Sequence, residues 1–161
     1  MRGDTEVLAL LNEQLTSELT AINQYFLHAK MQESWGYREL AAYTRKESIE
    51  EMVHAEQLTD RILFLDGLPN YQRLGVVKIG QTVREQLSAD LEVEQTVLLR
   101  LAPGIQMCRA KGDTGSANLL EQIYANEEVH IDYLETQLAL MDTLGEPLYL
   151  AQLLGSHGAP H

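Results

Sequence analysis

Two short motifs of the same form stand out in this sequence of 161 residues. Each places a histidine three positions after a glutamate: Glu51 and His54 in the first copy, Glu127 and His130 in the second. Residues i and i+3 of a helix share a face, so both side chains of a copy can point to the same spot. Such a pair is common on helix surfaces by chance, but its repetition predicts a metal site with carboxylate and imidazole ligands.

Each motif is also preceded by a further glutamate at a constant distance. Glu18 lies 33 positions before Glu51, and Glu94 lies 33 positions before Glu127. Four glutamates carry about four negative charges, which two divalent cations would balance, whereas unpaired buried carboxylates are strongly disfavoured. Oxygen ligands with two imidazoles suit iron or manganese better than copper or structural zinc. We therefore predict a two-metal centre; the alternative is a polar core whose carboxylates share protons.

Long helices must position these residues. Apolar residues recur every three or four positions along four segments, and the candidate ligands occupy positions within those apolar stripes. Gly and Pro are sparse between the segment ends. We predict an all-α fold with helices over about 4–35, 37–66, 82–111, 114–144 and 147–154.

The connections between the segments indicate the topology. Turns near Gly36 and Gly112 make the first two helices, and the last two long ones, antiparallel neighbours. The polar segment 66–81 could extend over roughly 50 Å, whereas a long helix here measures about 42 Å. It can therefore run the length of the bundle, which predicts a four-helix bundle with one long crossover in a single domain over 1–161. The tail 155–161, which contains His157 and His161, is expected to be frayed.

Composition excludes several classes of protein. The chain has 24 acidic and 12 basic residues and a net charge of −12, which argues against nucleic acid or an anionic membrane as a partner. No apolar run approaches the roughly 20 residues that span a bilayer. The start, MRGDTEV, lacks the features of a signal peptide, and the single cysteine, Cys108, excludes an internal disulfide. We expect a cytoplasmic location.

The sequence resembles the ferritin-like di-iron proteins, and within them the bacterioferritin family. The resemblance covers nearly the whole chain. Four segments carry it most clearly: Leu19–Ala29 (LTAINQYFLHA), Glu47–Ala55 (ESIEEMVHA), Arg61–Asn70 (RILFLDGLPN) and Glu127–Glu135 (EEVHIDYLE).

This resemblance implies a ferroxidase that stores iron. The family oxidises Fe(II) with dioxygen or peroxide and keeps the ferric mineral in a hollow shell of 24 subunits built from two-fold dimers. A small ferredoxin is the implied electron donor. The resemblance also implies two iron ions per subunit, with Glu18 and His54 on one ion, Glu94 and His130 on the other, and Glu51 and Glu127 bridging them.

Met52 is a candidate ligand of a different kind. It lies about 100° around its helix from Glu51, whereas His54 lies on the other side, so Met52 faces out of the bundle. Considered alone, an outward methionine is most often an apolar contact. The resemblance implies that it is the axial ligand of a b-type haem shared between two subunits, since one methionine per chain supplies both ligands only across a two-fold axis.

Other residues near the motifs have less defined roles. Tyr25 lies two turns after Glu18 on the same face and could bond a site carboxylate, act as a redox-active tyrosine, or pack in the core. Glu47 is placed to contact a ligand from outside the site. His28 is expected on the surface. Some relatives bind iron on the inner surface near the positions of Lys46 and Glu50, but the lysine argues against such a site here.

Two other functions stay open at this point. One is a non-storage di-iron or di-manganese enzyme, such as a rubrerythrin-like or manganese-catalase-like protein, which would form a small oligomer without haem. The other is a haem-bridged storage shell with an idle bundle site, which would take up iron equally well after Glu18→Ala.

Overall fold

Four long helices dominate the computed structural model, which describes residues 1–154. They are followed by a short helix and a single 3-10 turn at Gln152–Leu154. The prediction of an all-α, ferritin-like bundle with a short C-terminal helix is confirmed. The expectations for the tail, His157 and His161 fall outside the described residues. The helices are α1 (Thr5–Ser34), α2 (Arg38–Phe64), α3 (Val83–Ala110), α4 (Thr114–Leu144) and α5 (Glu146–Ala151).

Side-chain caps begin three of the long helices. The Asp4 carboxylate accepts the backbone N–H of Glu6 at 2.8 Å at the start of α1. Thr82 caps α3, and Asp113 caps α4 by accepting the backbone N–H of Ser116 at 2.9 Å. Each cap satisfies backbone donors that the first turn of a helix leaves unpaired, and thereby fixes where the helix begins.

The helices pack as two antiparallel pairs. Helix α1 lies against α2, and α3 lies against α4; α1 also contacts α3. Gly36, with φ of 91°, turns the chain between α1 and α2, and Gly112, with φ of 78°, does so between α3 and α4. A side chain at either turn would be strained in this left-handed backbone conformation. No helix within residues 1–154 has the length and apolar character needed to span a membrane.

Two apolar clusters fill the bundle, one toward each end. The first includes Leu11, Leu58, Leu101 and Ile123, with one or more residues from each long helix. The second packs Leu40, Leu87, Leu134 and Met141 against the end of the chain at Tyr149 and Leu153. Between the clusters, all four helices bury polar and charged side chains. This polar layer contains all six candidate ligands of the two-metal centre.

The crossover between α2 and α3 is fixed to the bundle by buried side chains of α1. Thr20 Oγ1 accepts the N–H of Gly75 at 2.8 Å, and Gln24 Oε1 accepts the N–H of Lys78 at 3.0 Å. His28 Nε2 accepts the N–H of Gly80 at 2.9 Å. These bonds satisfy backbone donors of a segment that has no regular structure of its own.

The expectation that His28 lies on the surface is wrong, because its side chain is completely buried. Its Nδ1 lies 2.9 Å from Asp90 of α3, and its Nε2 binds the crossover. His28 points away from the Glu18 face, as expected, but the crossover covers that side of α1. Polar residues there are therefore interior residues.

Candidate metal centre

Six side chains from the four long helices converge in the polar layer. Helix α1 supplies one glutamate, α3 supplies another, and α2 and α4 each supply a glutamate and a histidine one helical turn apart. Each of the six residues is at most 3% exposed. All the residues predicted as metal ligands thus meet at one place: Glu18, Glu51, His54, Glu94, Glu127 and His130.

Their possible ligand atoms form two overlapping groups, and within each group the atoms lie within 4.8 Å of one another. Two glutamates, one from α2 and one from α4, belong to both groups and so lie between the two possible ion positions. The groups are Glu18, Glu51, His54 and Glu127 in one case, and Glu51, Glu94, Glu127 and His130 in the other.

The site also contains buried atoms that have no hydrogen-bond partner. A buried polar atom left without a partner costs about 1–3 kcal/mol, and more when it is charged. Within residues 1–154, all such side-chain nitrogen and oxygen atoms belong to this centre. They are Glu18 Oε2, His54 Nδ1, Glu94 Oε2, both carboxylate oxygens of Glu127, and His130 Nδ1. These atoms offer the oxygen and nitrogen ligands that two cations require, so the residues fit a pair of metal ions.

The centre is electrostatically strained when it holds no cation. Burial raises the pKa of Glu18 to about 6. Burial alone would lower the pKa of His54, but the nearby carboxylates of Glu127 and Glu18 outweigh this effect and raise the pKa to about 10. His54 Nδ1 lies 3.2 Å from Glu127 Oε1 and 3.6 Å from Glu18 Oε2. Without metal, protons therefore provide part of the positive charge that the carboxylates need.

Tyr25 contacts the centre directly. Its hydroxyl donates a hydrogen bond to Glu94 Oε1, and its ring meets the ring of His130 edge-on at 5.3 Å. The side chain is fully buried, and burial raises the pKa of the phenol well above its ordinary value. Tyr25 therefore remains a hydrogen-bond donor at physiological pH. Of the roles considered for it from the sequence, the structure shows the bond to a site carboxylate.

Further side chains contact the ligands from outside. Glu47 is buried, and its Oε2 lies 3.4 Å from His130 Nδ1, which agrees with its expected place. Asn126 Nδ2 lies 3.1 Å from His54 Nε2. Gln14 donates to Glu18 Oε1 at 2.9 Å. Neither Asn126 nor Gln14 was predicted from the sequence, although the position of Gln14 one turn before Glu18 was a usable signal.

Two other expectations concern the outer faces of α2. Lys46 is exposed and Glu50 is partly exposed, and they form a loose ion pair, with Lys46 Nζ 3.9 Å from Glu50 Oε1. Met52 is 53% exposed and lines an open groove of about 430 Å³. Leu19, Ile22 and Tyr71 contribute to the same groove. A thioether in a partly apolar groove fits a haem, because the haem ring is flat and largely apolar and its iron accepts a sulfur ligand.

A four-helix bundle with one long crossover and a carboxylate-rich centre between its helices defines the ferritin-like class of proteins. The ferritin-like domain family matches residues 8–144 of the chain. The bacterioferritin of Mycobacterium bovis is 72% identical over 152 residues, which cover 94% of this chain and 96% of that protein. The bacterioferritin of Streptomyces coelicolor is 62% identical, with 96% of this chain and 92% of that protein covered.

Solved structures agree with these sequence relatives. The structure of Mycobacterium tuberculosis bacterioferritin, BfrA, superposes with a TM-score of 0.95 at 70% identity and covers 96% of this chain and 98% of that chain. The chain therefore belongs to the bacterioferritin family, which confirms the resemblance inferred from the sequence. Its function is iron storage.

Proposed function

We propose that the chain is a ferroxidase subunit, which oxidises Fe(II) at the six-residue centre before the iron is stored. The observation that carries this proposal is the set of buried, unpartnered nitrogen and oxygen atoms within the two groups. Glu18 and His54 would bind one Fe(II), Glu94 and His130 the other, and Glu51 and Glu127 would bridge them. Ferroxidase activity would supply the first step of storage, because insoluble ferric mineral forms only after Fe(II) has been oxidised.

Oxidation of Fe(II) at this centre requires little general acid–base catalysis by protein side chains. Each of two Fe(II) ions gives up one electron; dioxygen takes both electrons and two protons and leaves as hydrogen peroxide. With peroxide as the oxidant, the same two electrons and two protons yield two water molecules. The four glutamates favour the product because their negative charge stabilises Fe(III) more than Fe(II). Burial strengthens that preference by excluding water from the centre.

Release of the stored iron requires that Fe(III) be reduced to Fe(II). We propose that a b-type haem carries the electron for this reduction. Met52 of each of two facing subunits would bind its iron across a two-fold axis. When bound, the haem would supply one-electron transfer between a small ferredoxin outside the shell and the mineral inside. The exposure of Met52 beside a groove supports this arrangement, since a second subunit can reach the same surface.

The oligomeric state and iron uptake distinguish the proposed ferroxidase from the two alternative functions. We expect size-exclusion chromatography to show a shell of 24 subunits, with a Soret band after haem supplementation. Addition of Fe(II) and dioxygen should then deposit ferric mineral inside the shell. A particle of monomer or dimer mass without a Soret band would instead favour a rubrerythrin-like or manganese-catalase-like enzyme. Mineral uptake that Glu18→Ala leaves unchanged would favour a shell with an idle centre.

Tyr25→Phe should slow Fe(II) oxidation by roughly 10-fold, since loss of an outer contact to a metal ligand commonly costs 10–100-fold. The variant removes the hydroxyl that donates to Glu94 Oε1 and keeps the ring against His130. The measurement is the initial rate of Fe(III) formation in stopped flow. Tyr124→Phe is the matched control, because Tyr124 packs at the first apolar cluster. Equal rates for both variants would show that the Tyr25 hydroxyl does not assist oxidation.

Metal binding should release about one proton from His54 per subunit at pH 8. The pKa of His54, about 10 without metal, keeps the ring protonated at this pH, whereas a metal ion requires a neutral nitrogen. Calorimetric titration with Co(II) in buffers of different ionisation enthalpy counts the protons. Below about pH 6 Glu18 also binds a proton, so affinity should fall further there. Proton release that is unchanged in His54→Gln would contradict this assignment.

The same shift predicts a pH dependence of stability in the metal-free protein. A pKa of His54 raised from 6.5 to about 10 adds stability that is fully present below pH 6.5 and is lost as the pH rises toward 10. Thermal unfolding of the metal-free parent and of His54→Gln at a series of pH values between about 6 and 10 measures this loss, and the same pH dependence in both proteins would contradict it.

A further inference from the structure

A buried amide connects the metal centre to a cation near the protein surface. Gln14 of α1 is completely inaccessible to solvent, and its Nε2 donates to Glu18 Oε1 at 2.9 Å. Arg100 of α3 donates from Nη1 to Gln14 Oε1 at 3.1 Å and to Ser17 Oγ at 2.6 Å. The contacts thus run from the guanidinium through the amide to a candidate metal ligand.

The chemistry of the two neighbours determines the orientation of this amide. A guanidinium carries only hydrogen-bond donors, so the amide must present its oxygen to Arg100. An ionised carboxylate carries only acceptors, so the amide must present its NH₂ group to Glu18. If the amide were rotated by about 180°, its NH₂ group would face the Arg100 guanidinium and its oxygen would face the Glu18 carboxylate. Neither contact could be a hydrogen bond, and unpaired polar groups are costly when they are buried. Arg100 therefore selects the one orientation in which Gln14 can donate to Glu18.

This arrangement determines which oxygen of Glu18 remains available. Oε1 is engaged by Gln14, whereas Oε2 has no hydrogen-bond partner and lies 3.6 Å from His54 Nδ1. Glu94 also has one bonded and one unpartnered oxygen. Here the donor to Oε1 is the Tyr25 hydroxyl, and Oε2 has no hydrogen-bond partner. Each of these glutamates therefore has one oxygen held by the protein and one directed into the centre.

We propose that Gln14 and Arg100 are positioning residues for Glu18, and that Arg100 acts on the metal centre through Gln14. The amide holds the carboxylate in the rotation that turns Oε2 toward the ion, and the guanidinium holds the amide. This inference rests on the proposed function, because it requires Glu18 to bind a metal ion. The centre then has two unlike halves: an amide backed by a cation supports Glu18, and a phenol supports Glu94.

The test is a Co(II) titration of the complete metal-free protein, followed by the intensity of the Co(II) absorption bands. Loss of an outer contact to a ligand commonly weakens metal binding 10–100-fold. We expect Gln14→Met to weaken one of the two Co(II) ions by at least about 10-fold and Arg100→Met to weaken the same ion. Arg100→Lys, which keeps a donor, should recover part of the affinity. Arg73→Met is the matched control, since Arg73 lines the same surface groove as Arg100 from the crossover.

The double variant decides whether Arg100 acts through Gln14. Residues that act in series give non-additive effects, so Arg100→Met should change little in a Gln14→Met background. Additive effects would overturn this part of the proposal, and parental affinity in both single variants would overturn all of it. Failure of the parent protein to bind Co(II) would instead contradict the proposed function. If Gln14→Met does not fold, as judged by thermal unfolding, the comparison of Arg100→Met with Arg100→Lys and Arg73→Met still decides the outcome.

Discussion

Glu127→Gln is expected to reduce the initial rate of Fe(II) oxidation at least about 100-fold, because loss of an outer contact to a ligand already costs 10–100-fold and this change removes an oxygen of a proposed ligand. Glu127 belongs to both ligand groups, and both of its carboxylate oxygens lack a hydrogen-bond partner. Glutamine has nearly the same shape but removes a negative charge and places an NH₂ group against one of the cations. Stopped-flow measurement with two Fe(II) per subunit gives the rate.

The adjacent residue provides a close control for this experiment. Glu128→Gln makes the same chemical change one position along α4, where the side chain is exposed. We expect it to oxidise Fe(II) at the parental rate. Thermal unfolding should show that metal-free Glu127→Gln is folded, whereas the rise in melting temperature on addition of Co(II) should be smaller than in the parent. Parental oxidation by Glu127→Gln would show that the centre is assigned wrongly.

Met52→Leu should lower haem binding by at least about 10-fold while Fe(II) oxidation remains at the parental rate. Leucine fills a similar volume but has no sulfur to bind iron, so it tests the thioether rather than the shape of the groove. The measurement is the Soret absorbance of purified shells after reconstitution with excess haem. Met107→Leu is the control, since Met107 is partly buried against the first apolar cluster. An undiminished Soret band would exclude Met52 as a haem ligand.

The fold was predictable because its signals are local. Apolar residues recur at helical spacing, and Gly36 and Gly112 mark the two tight turns. The meeting of the six candidate ligands was predictable for a similar reason. Once four helices cross a bundle, a charged residue within an apolar stripe has to face the axis. The spacing of 33 across each tight turn brings the two glutamates of a pair to about the same height in the bundle.

The surroundings of the centre were not predictable in the same way. Arg100 reaches Gln14 from 86 positions away, and that contact depends on how far each helix is rotated about its own axis. His28 was misjudged because the path of an irregular crossover decides which outer faces are covered. Periodicity reports the side of a helix that faces the axis, but it carries no information about a loop that covers the opposite side.

The two apolar clusters at the ends of the bundle have a consequence for how iron can come and go. Small zinc domains unfold when they lose their metal, because the ion replaces a core that they lack. Here each end of the bundle has its own core, and the ligands lie between the two. We therefore expect the bundle to stay folded when the centre holds no metal ion. Iron would then be able to enter and leave the centre repeatedly, with no refolding of the helices between one ion and the next.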